Sequence, residues 1–331
     1  SKTSLFGMKA YSIILISALT CIGLGCDRTS EFEDIEPQEL SDETNYVYCS
    51  DQSGSAQIWI SRTSGNSQLT QSPHMQSIWP RISPDGASVL FYEVDFDQDV
   101  LDPNLASLCR LNISDGEKTI LIGHDKFEWQ VHGSANWSHD GNSIVMTAVS
   151  DSMTTPQIYI SDANGENPRR ISKRDNADYF DPIFSRDDNY IFCSVVPEST
   201  NSIESNTEIF RIDIESGEEK RITYNSTEDY HPCVNSEENI LVFESLVDPN
   251  YLGMGLWQLN KVYLSDSTET PLLHSKNLSF LPRFKDGSDD IYFVSLDIEN
   301  LTTSIHITDT KGRAPEPLVT DDFNCIGVDP F

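Results

Sequence analysis

Trp79-Pro80-Arg81-Ile82-Ser83-Pro84-Asp85-Gly86, running into the apolar Val89-Leu90-Phe91, recurs along the chain in altered copies. Ala135-Asn136-Trp137-Ser138-His139-Asp140-Gly141 is one copy, and Asp181-Pro182-Ile183-Phe184-Ser185-Arg186-Asp187-Asp188 is another. Shorter echoes stand at His231-Pro232, Leu281-Pro282 and Asp329-Pro330. With Ala135 in the place of proline, successive anchors lie 55, 47, 50, 50 and 48 residues apart, which is the period of a structural repeat.

Each unit has a second hallmark: a strand, a polar turn, and a strand ending in Thr or Ser. The fullest copy runs from Ile158-Tyr159-Ile160 through Asn164-Gly165 to Arg170-Ile171-Ser172, and others begin at Ile58, Leu108, Ile209, Val262 and Ile305. Asn164-Gly165 and Asp115-Gly116 are hairpin turns, since glycine takes positive φ without a Cβ clash. Four short strands per unit at this period predict an all-β, six-bladed β-propeller of four-stranded antiparallel blades. Residues 46–50 begin with the second strand of a blade, while Val328-Asp329-Pro330-Phe331 supplies a first strand. Pairing of the N- and C-terminal strands then closes the ring and removes its exposed edges.

The Trp-Pro-Arg-Ile-Ser-Pro-Asp-Gly and Ile-Tyr-Ile-Ser-Asp-Ala-Asn-Gly…Arg-Arg-Ile-Ser segments resemble the WD40-like repeats of TolB-type propellers. The resemblance spans about residues 46 to 331. It implies a propeller in the bacterial cell envelope, and it leaves the activity open because function resides in sites grafted on folds.

Upstream, Ile13 to Gly25 is an apolar and small-residue run that ends at Cys26, short for a membrane span and suited to a signal-peptide core. Ile22-Gly23-Leu24-Gly25-Cys26 resembles a bacterial lipoprotein cleavage box, which implies lipidation at Cys26. Residues 27–45 hold eight acids and the single base Arg28, an acidic flexible tether unable to bury enough apolar surface to fold. The expected organisation is a leader over 1–26, a tether over 27–45 and a propeller over 46–331. The expected place is the outer membrane, lipid-anchored, facing the periplasm or the surface.

The 331 residues carry 22 Lys and Arg against 53 Asp and Glu, a net charge of −31. Phosphate neutralisation needs clustered basic residues, so no nucleic-acid partner is expected. Seven cysteines without a CxxC pair argue against a disulfide framework, and Cys49 and Cys193 share the repeat position of Phe91, Met146, Phe243 and Phe293, which makes them core residues. No nucleophile elbow, zinc helix, P-loop or dinucleotide fingerprint is present. The expected class is therefore a non-enzymatic binding protein.

Short turns fall between strands 1 and 2 and between strands 3 and 4 of each unit. The long insertions, Glu93 to Ala106, Val196 to Asn206 and Ser245 to Leu259, fall at the opposite end. Loops on a rigid scaffold are where binding function concentrates. Three clusters on this face are candidates. Asp95, Asp97, Asp99 and Asp102 alternate like a Ca²⁺ loop, although Val100 and Ala106 replace the glycine and glutamate of an EF-hand. No other cofactor is expected. Tyr251, Met254 and Trp257 offer an apolar contact surface for an envelope protein or peptide. Trp129, His132, Tyr179, Asp181, Tyr230, His231 and Asp329 are expected near the channel mouth. Two alternatives follow from the same residues: glycan recognition by Tyr251, Trp257 and the rim aromatics Trp129, Tyr179 and Tyr230, and a metal-assisted lyase or hydrolase built on His132, Asp181, His231 and Asp329. Asp85 and Asp140 are turn residues of the scaffold.

Overall fold

The computed structural model describes residues 45–72, 74–95, 106–197, 206–318 and 324–331. In chain order these form β1 (Tyr46–Ser50), β2 (Gln57–Arg62), β3 (Gly65–Gln68), β4 (Met75–Ile82), β5 (Ser88–Asp95), β6 (Ser107–Asn112), β7 (Lys118–Ile122) and β8 (Trp129–Trp137). Then follow β9 (Ser143–Ser150), β10 (Gln157–Asp162), β11 (Arg169–Arg170), β12 (Asp178–Phe184), β13 (Tyr190–Val196), β14 (Glu208–Asp213), β15 (Glu219–Arg221) and β16 (Asp229–Val234). The last eight are β17 (Ile240–Asp248), β18 (Leu256–Tyr263), β19 (Thr268–Pro271), β20 (Leu278–Phe284), β21 (Asp290–Asp297), β22 (Thr302–Asp309), β23 (Glu316–Pro317) and β24 (Cys325–Pro330). Five sheets are built from consecutive strands, and the sixth runs β24-β1-β2-β3. The six-bladed propeller and its closure are thus as the repeats imply, with Val47 opposite Asp329 across the seam. The leader, the tether and Cys26 lie outside the described residues.

The repeated turns are held by local polar chemistry. Ser83 donates its hydroxyl to Asp85 at 2.5 Å, Ser138 to Asp140 at 2.6 Å, and Ser185 to Asp187 at 2.7 Å. Each of these carboxylates also accepts a backbone N–H two residues on. These hydrogen bonds hold the Asp85, Asp140 and Asp187 carboxyls below their usual range. Such bonds are spent on the turn, so these acids are scaffold.

In three blades the Thr or Ser that follows the fourth strand also has a physical role. Thr70, Ser172 and Thr223 accept the backbone N–H of Ile58, Ile158 and Ile209 at 2.8, 3.0 and 2.9 Å. The hydroxyl thereby satisfies a third-strand donor where the short outer strand no longer reaches it.

Between blades the core is made by one residue per second strand: Cys49, Phe91, Met146, Cys193, Phe243 and Phe293, all buried. Each faces a two-residue bulge in the first strand of its own blade: Trp79-Pro80, Ser134-Ala135, Asp181-Pro182, His231-Pro232 and Leu281-Pro282. Proline has no N–H to give a ladder, and a bulge is where a sheet tolerates it. In β24 the bulge is Ile326-Gly327, between the pairs Tyr48–Val328 and Ser50–Cys325. Asp329-Pro330 is therefore not the sixth copy of the anchor. The spacing reading is corrected by three residues, because register is set by the bulge opposite Cys49 and not by the dipeptide. The five described cysteines, Cys49, Cys109, Cys193, Cys233 and Cys325, are all buried, and none forms a disulfide with another.

Candidate functional site

Five bulges place a non-glycine residue in the left-handed region, at φ 55° for Trp79, 54° for Ser134, 53° for Asp181, 49° for His231 and 52° for Leu281. Each such residue costs about 1–3 kcal/mol and persists where its surroundings over-determine it. The result is convergence on the propeller axis, where Trp79, Arg81, Asn136, Asp181, His231 and Arg283 are among the residues that line a cavity of about 30 Å³.

Two polar clusters fill this channel. In one, the His231 ring bridges two carboxylates, with Nε2 3.1 Å from Asp181 Oδ1 and Nδ1 2.8 Å from Glu244 Oε1. Both nitrogens can donate only if the ring is protonated. Burial pulls the His231 pKa down, but Asp181 and Glu244 more than offset it and hold it up at about 9. Burial likewise pushes Asp181 up, opposed chiefly by His231. Ser194 donates to Asp181 at 3.2 Å, and the Leu281 N–H donates to Glu244 at 2.8 Å. In the other cluster, Arg283 Nε donates to Asp329 at 2.7 Å, whose second oxygen accepts the Ile82 N–H at 2.9 Å. Asn136 Oδ1 accepts from Arg81 at 2.9 Å and from Arg283 at 3.2 Å.

Of the four residues proposed for metal chemistry, the structure brings together only Asp181 and His231. Asp329 is engaged by Arg283 in the second cluster, at the strand position of Ile82 and not at a first-strand start. His132 is buried against Tyr92 and Trp129, with ring centres 5.5 and 5.9 Å apart, and burial lowers its pKa to about 4. Among the described residues, no three His, Cys, Asp or Glu side chains are placed to hold a metal ion. Of the acidic-loop residues, Asp95 ends β5, whereas Asp97, Asp99 and Asp102 lie outside the described residues. Glu244, Arg81 and Arg283 were missed. Their signal was present: Glu244 is the lone charge in Ile240-Leu241-Val242-Phe243-Glu244, and both arginines follow an anchor proline directly.

The remaining candidates divide by burial. Trp129, Tyr179 and Tyr230 are buried in the blade packing. Trp257 is half-buried, packed on Tyr230 at 5.8 Å and Phe280 at 6.4 Å. Tyr251 donates its hydroxyl to the Lys276 carbonyl at 3.1 Å. Around them the β17–β18 connection presents Leu252 at 61% and Met254 at 40% exposure, and the end of β17 presents Val247 at 40%. Leu252 holds φ 49°, and Gly255, at φ 80°, is required because a Cβ there would meet Leu246 Cδ1 at 2.6 Å. Beside this loop Val247, Leu256, Pro271, Leu273 and Lys276 line a groove of about 430 Å³. A groove of this size suits a peptide segment or small ligand, whereas the axial cavity admits only a few atoms.

No protein-family model matches the sequence. Among solved structures, TolB from Acinetobacter baumannii superposes with a TM-score of 0.67 at 14% identity, over 89% of this chain and 67% of that one. A nidogen/laminin complex gives 0.62 at 10% identity, over 87% and 98%. An oligogalacturonate lyase from Vibrio parahaemolyticus gives 0.51 at 13%, over 80% and 86%. At such identities the likeness concerns architecture, and the same architecture serves proteins of different activity. In fold, the chain is a TolB-like six-bladed β-propeller.

Proposed function

We propose that this chain is a cell-envelope interaction protein that binds a protein or peptide through the loop-rich face of its propeller. The observation that carries the reading is the exposed set Leu252, Met254 and Val247 beside the groove. Apolar side chains held outward at a strand end and on a strained loop cost stability and serve a contact. The TolB likeness supports an envelope setting, and the nidogen/laminin structure is a complex that contains this fold. Attachment at Cys26, in the bacterial outer membrane, belongs to the same proposal.

A protein partner is favoured over a glycan because the aromatic rings of this loop are engaged. Trp257 is wedged between Tyr230 and Phe280, and Tyr251 is tied to Lys276, so the outward surface is aliphatic and thioether. The lyase or hydrolase reading has less support, since His231 is already in ion-pair contact with both Asp181 and Glu244.

The test is site-specific photocrosslinking in the native envelope with a crosslinker at Leu252 and, as control, at Ile120, which is equally exposed on β7. A discrete adduct from position 252 alone is expected. Equal labelling from both positions, or none from 252, would sink the proposal. Fractionation of Cys26→Ser tests the anchor: release from membranes is expected, and retention refutes it.

A further inference from the structure

Six ionisable side chains meet in the channel: Arg81, Arg283 and His231 against Asp181, Glu244 and Asp329. With His231 protonated they sum to zero, but the pairing at contact distance is uneven. His231 serves two carboxylates, and Arg283 serves Asp329. Among the described residues no carboxylate lies in ion-pair contact with Arg81. Its Nε donates to the neutral Asn136 amide oxygen and its Nη1 to the Pro80 carbonyl at 2.8 Å. Arg81 is half-buried, and a guanidinium partly withdrawn from water without a contact counter-charge is held at a cost. Burial, reinforced by the like charge of Arg283 and opposed by the charges of Asp329 and Asp181 beyond ion-pair contact, pulls the Arg81 pKa down to about 10.

Arg81 and Arg283 both border the axial cavity of about 30 Å³. A volume of that order holds roughly two water-sized groups, room for the two oxygens of a carboxylate. The lining also holds Ser134, Asn136 and the ion-paired Asp181 and His231, while Trp79, Pro232, Leu281 and Pro282 give it an apolar wall. Planar guanidinium groups favour planar, two-oxygen partners.

We propose that the channel binds a small monocarboxylate anion, with its carboxylate on Arg81 and Arg283. The anion supplies Arg81 with the contact charge that the protein withholds. This site is separate from the loop-rich face, so its failure leaves the proposed function untouched.

The experiment is titration of the full chain with acetate, and with acetamide as its uncharged isostere, followed by ligand-detected NMR and calorimetry. Saturable one-to-one binding of acetate, no binding of acetamide, and at least about a tenfold loss in Arg81→Met are expected. Arg81→Met removes an unpaired cation while keeping the aliphatic bulk, so its melting temperature should not fall. If that variant fails to fold, the acetate and acetamide titrations of the wild type still decide the matter. Equal binding of both probes, no saturable acetate binding, or undiminished affinity in a folded Arg81→Met would each overturn the proposal.

Discussion

Thr223 donates its hydroxyl to Glu208 at 2.6 Å, in the place where Thr70 donates to Gln57 at 2.8 Å and Ser172 to Gln157 at 2.7 Å. One blade has thus put an ionisable group where two others carry an amide. Burial raises the Glu208 pKa from 4.5 to about 7, partly opposed by Thr223 and by Arg221 at 2.6 Å. Between those values the native state holds more protons than the unfolded chain, so stability falls as pH rises through the window.

Glu208→Gln should remove that dependence. At pH 8 the variant should be more stable than the wild type, by at most about 3 kcal/mol, and at pH 4 the two should be alike. Urea denaturation at both pH values checks this. A variant that is destabilised at pH 8 would show that the Arg221 ion pair outweighs burial.

His231 titrates in a different window with the same sign. Its folded pKa of about 9 lies above the unfolded value of 6.5, so its contribution is complete below pH 6.5 and disappears as pH rises through 9. His231→Gln should lose about 3 kcal/mol at pH 6, progressively less as pH rises from 6.5 to 9, and little above that. Asp178 and Asp229, both raised to about 6 by burial, add to the decline from the acid side. The melting temperature of the wild type should therefore be higher at pH 5 than at pH 9.

Leu252→Gly separates contact from folding. It deletes an exposed apolar side chain and relieves a left-handed residue, so stability should hold or rise by up to about 1 kcal/mol while partner crosslinking falls. Trp257→Ala should instead lower the melting temperature, because the ring packs between Tyr230 and Phe280. Thermal melts beside crosslinking yields distinguish the two. Parallel losses of stability and crosslinking in both variants would mean that the loop is only a cap.

Deleting residues 325–331 removes β24, against which β1 pairs along its whole length. Tyr46, Tyr48 and Val328, all buried, belong to one apolar cluster there. The truncated chain should lose several kcal/mol and self-associate through the bared edge. Light scattering and a thermal melt check this, and an unaltered melt would refute the role of the seam.

The ring was legible in the sequence because its signals are local. Asp-Gly turns, the prolines of the bulges and the Thr or Ser latches each depend on a few neighbouring residues. Asp329 misled because it copies the anchor dipeptide by composition, whereas its register depends on Cys49, nearly 280 residues away in the chain. The channel was half legible. Asp181 and His231 lie next to visible prolines, but their partner Glu244 sits on a second strand whose apolar run reads as pure core. The exposed loop was found, yet its leading residue Leu252 was passed over for aromatic neighbours that turn inward to pack.

The seam also sets a schedule. β1 is made early and its partner β24 some 280 residues later, which at about 5–20 residues per second leaves the first blade incomplete for roughly 15–60 s. During that interval a buried thiol such as Cys49 and the tyrosines of β1 have no permanent cover. A cell that makes this protein needs something to shield a half-finished ring, and the time for which it must do so is written in the separation of two strands.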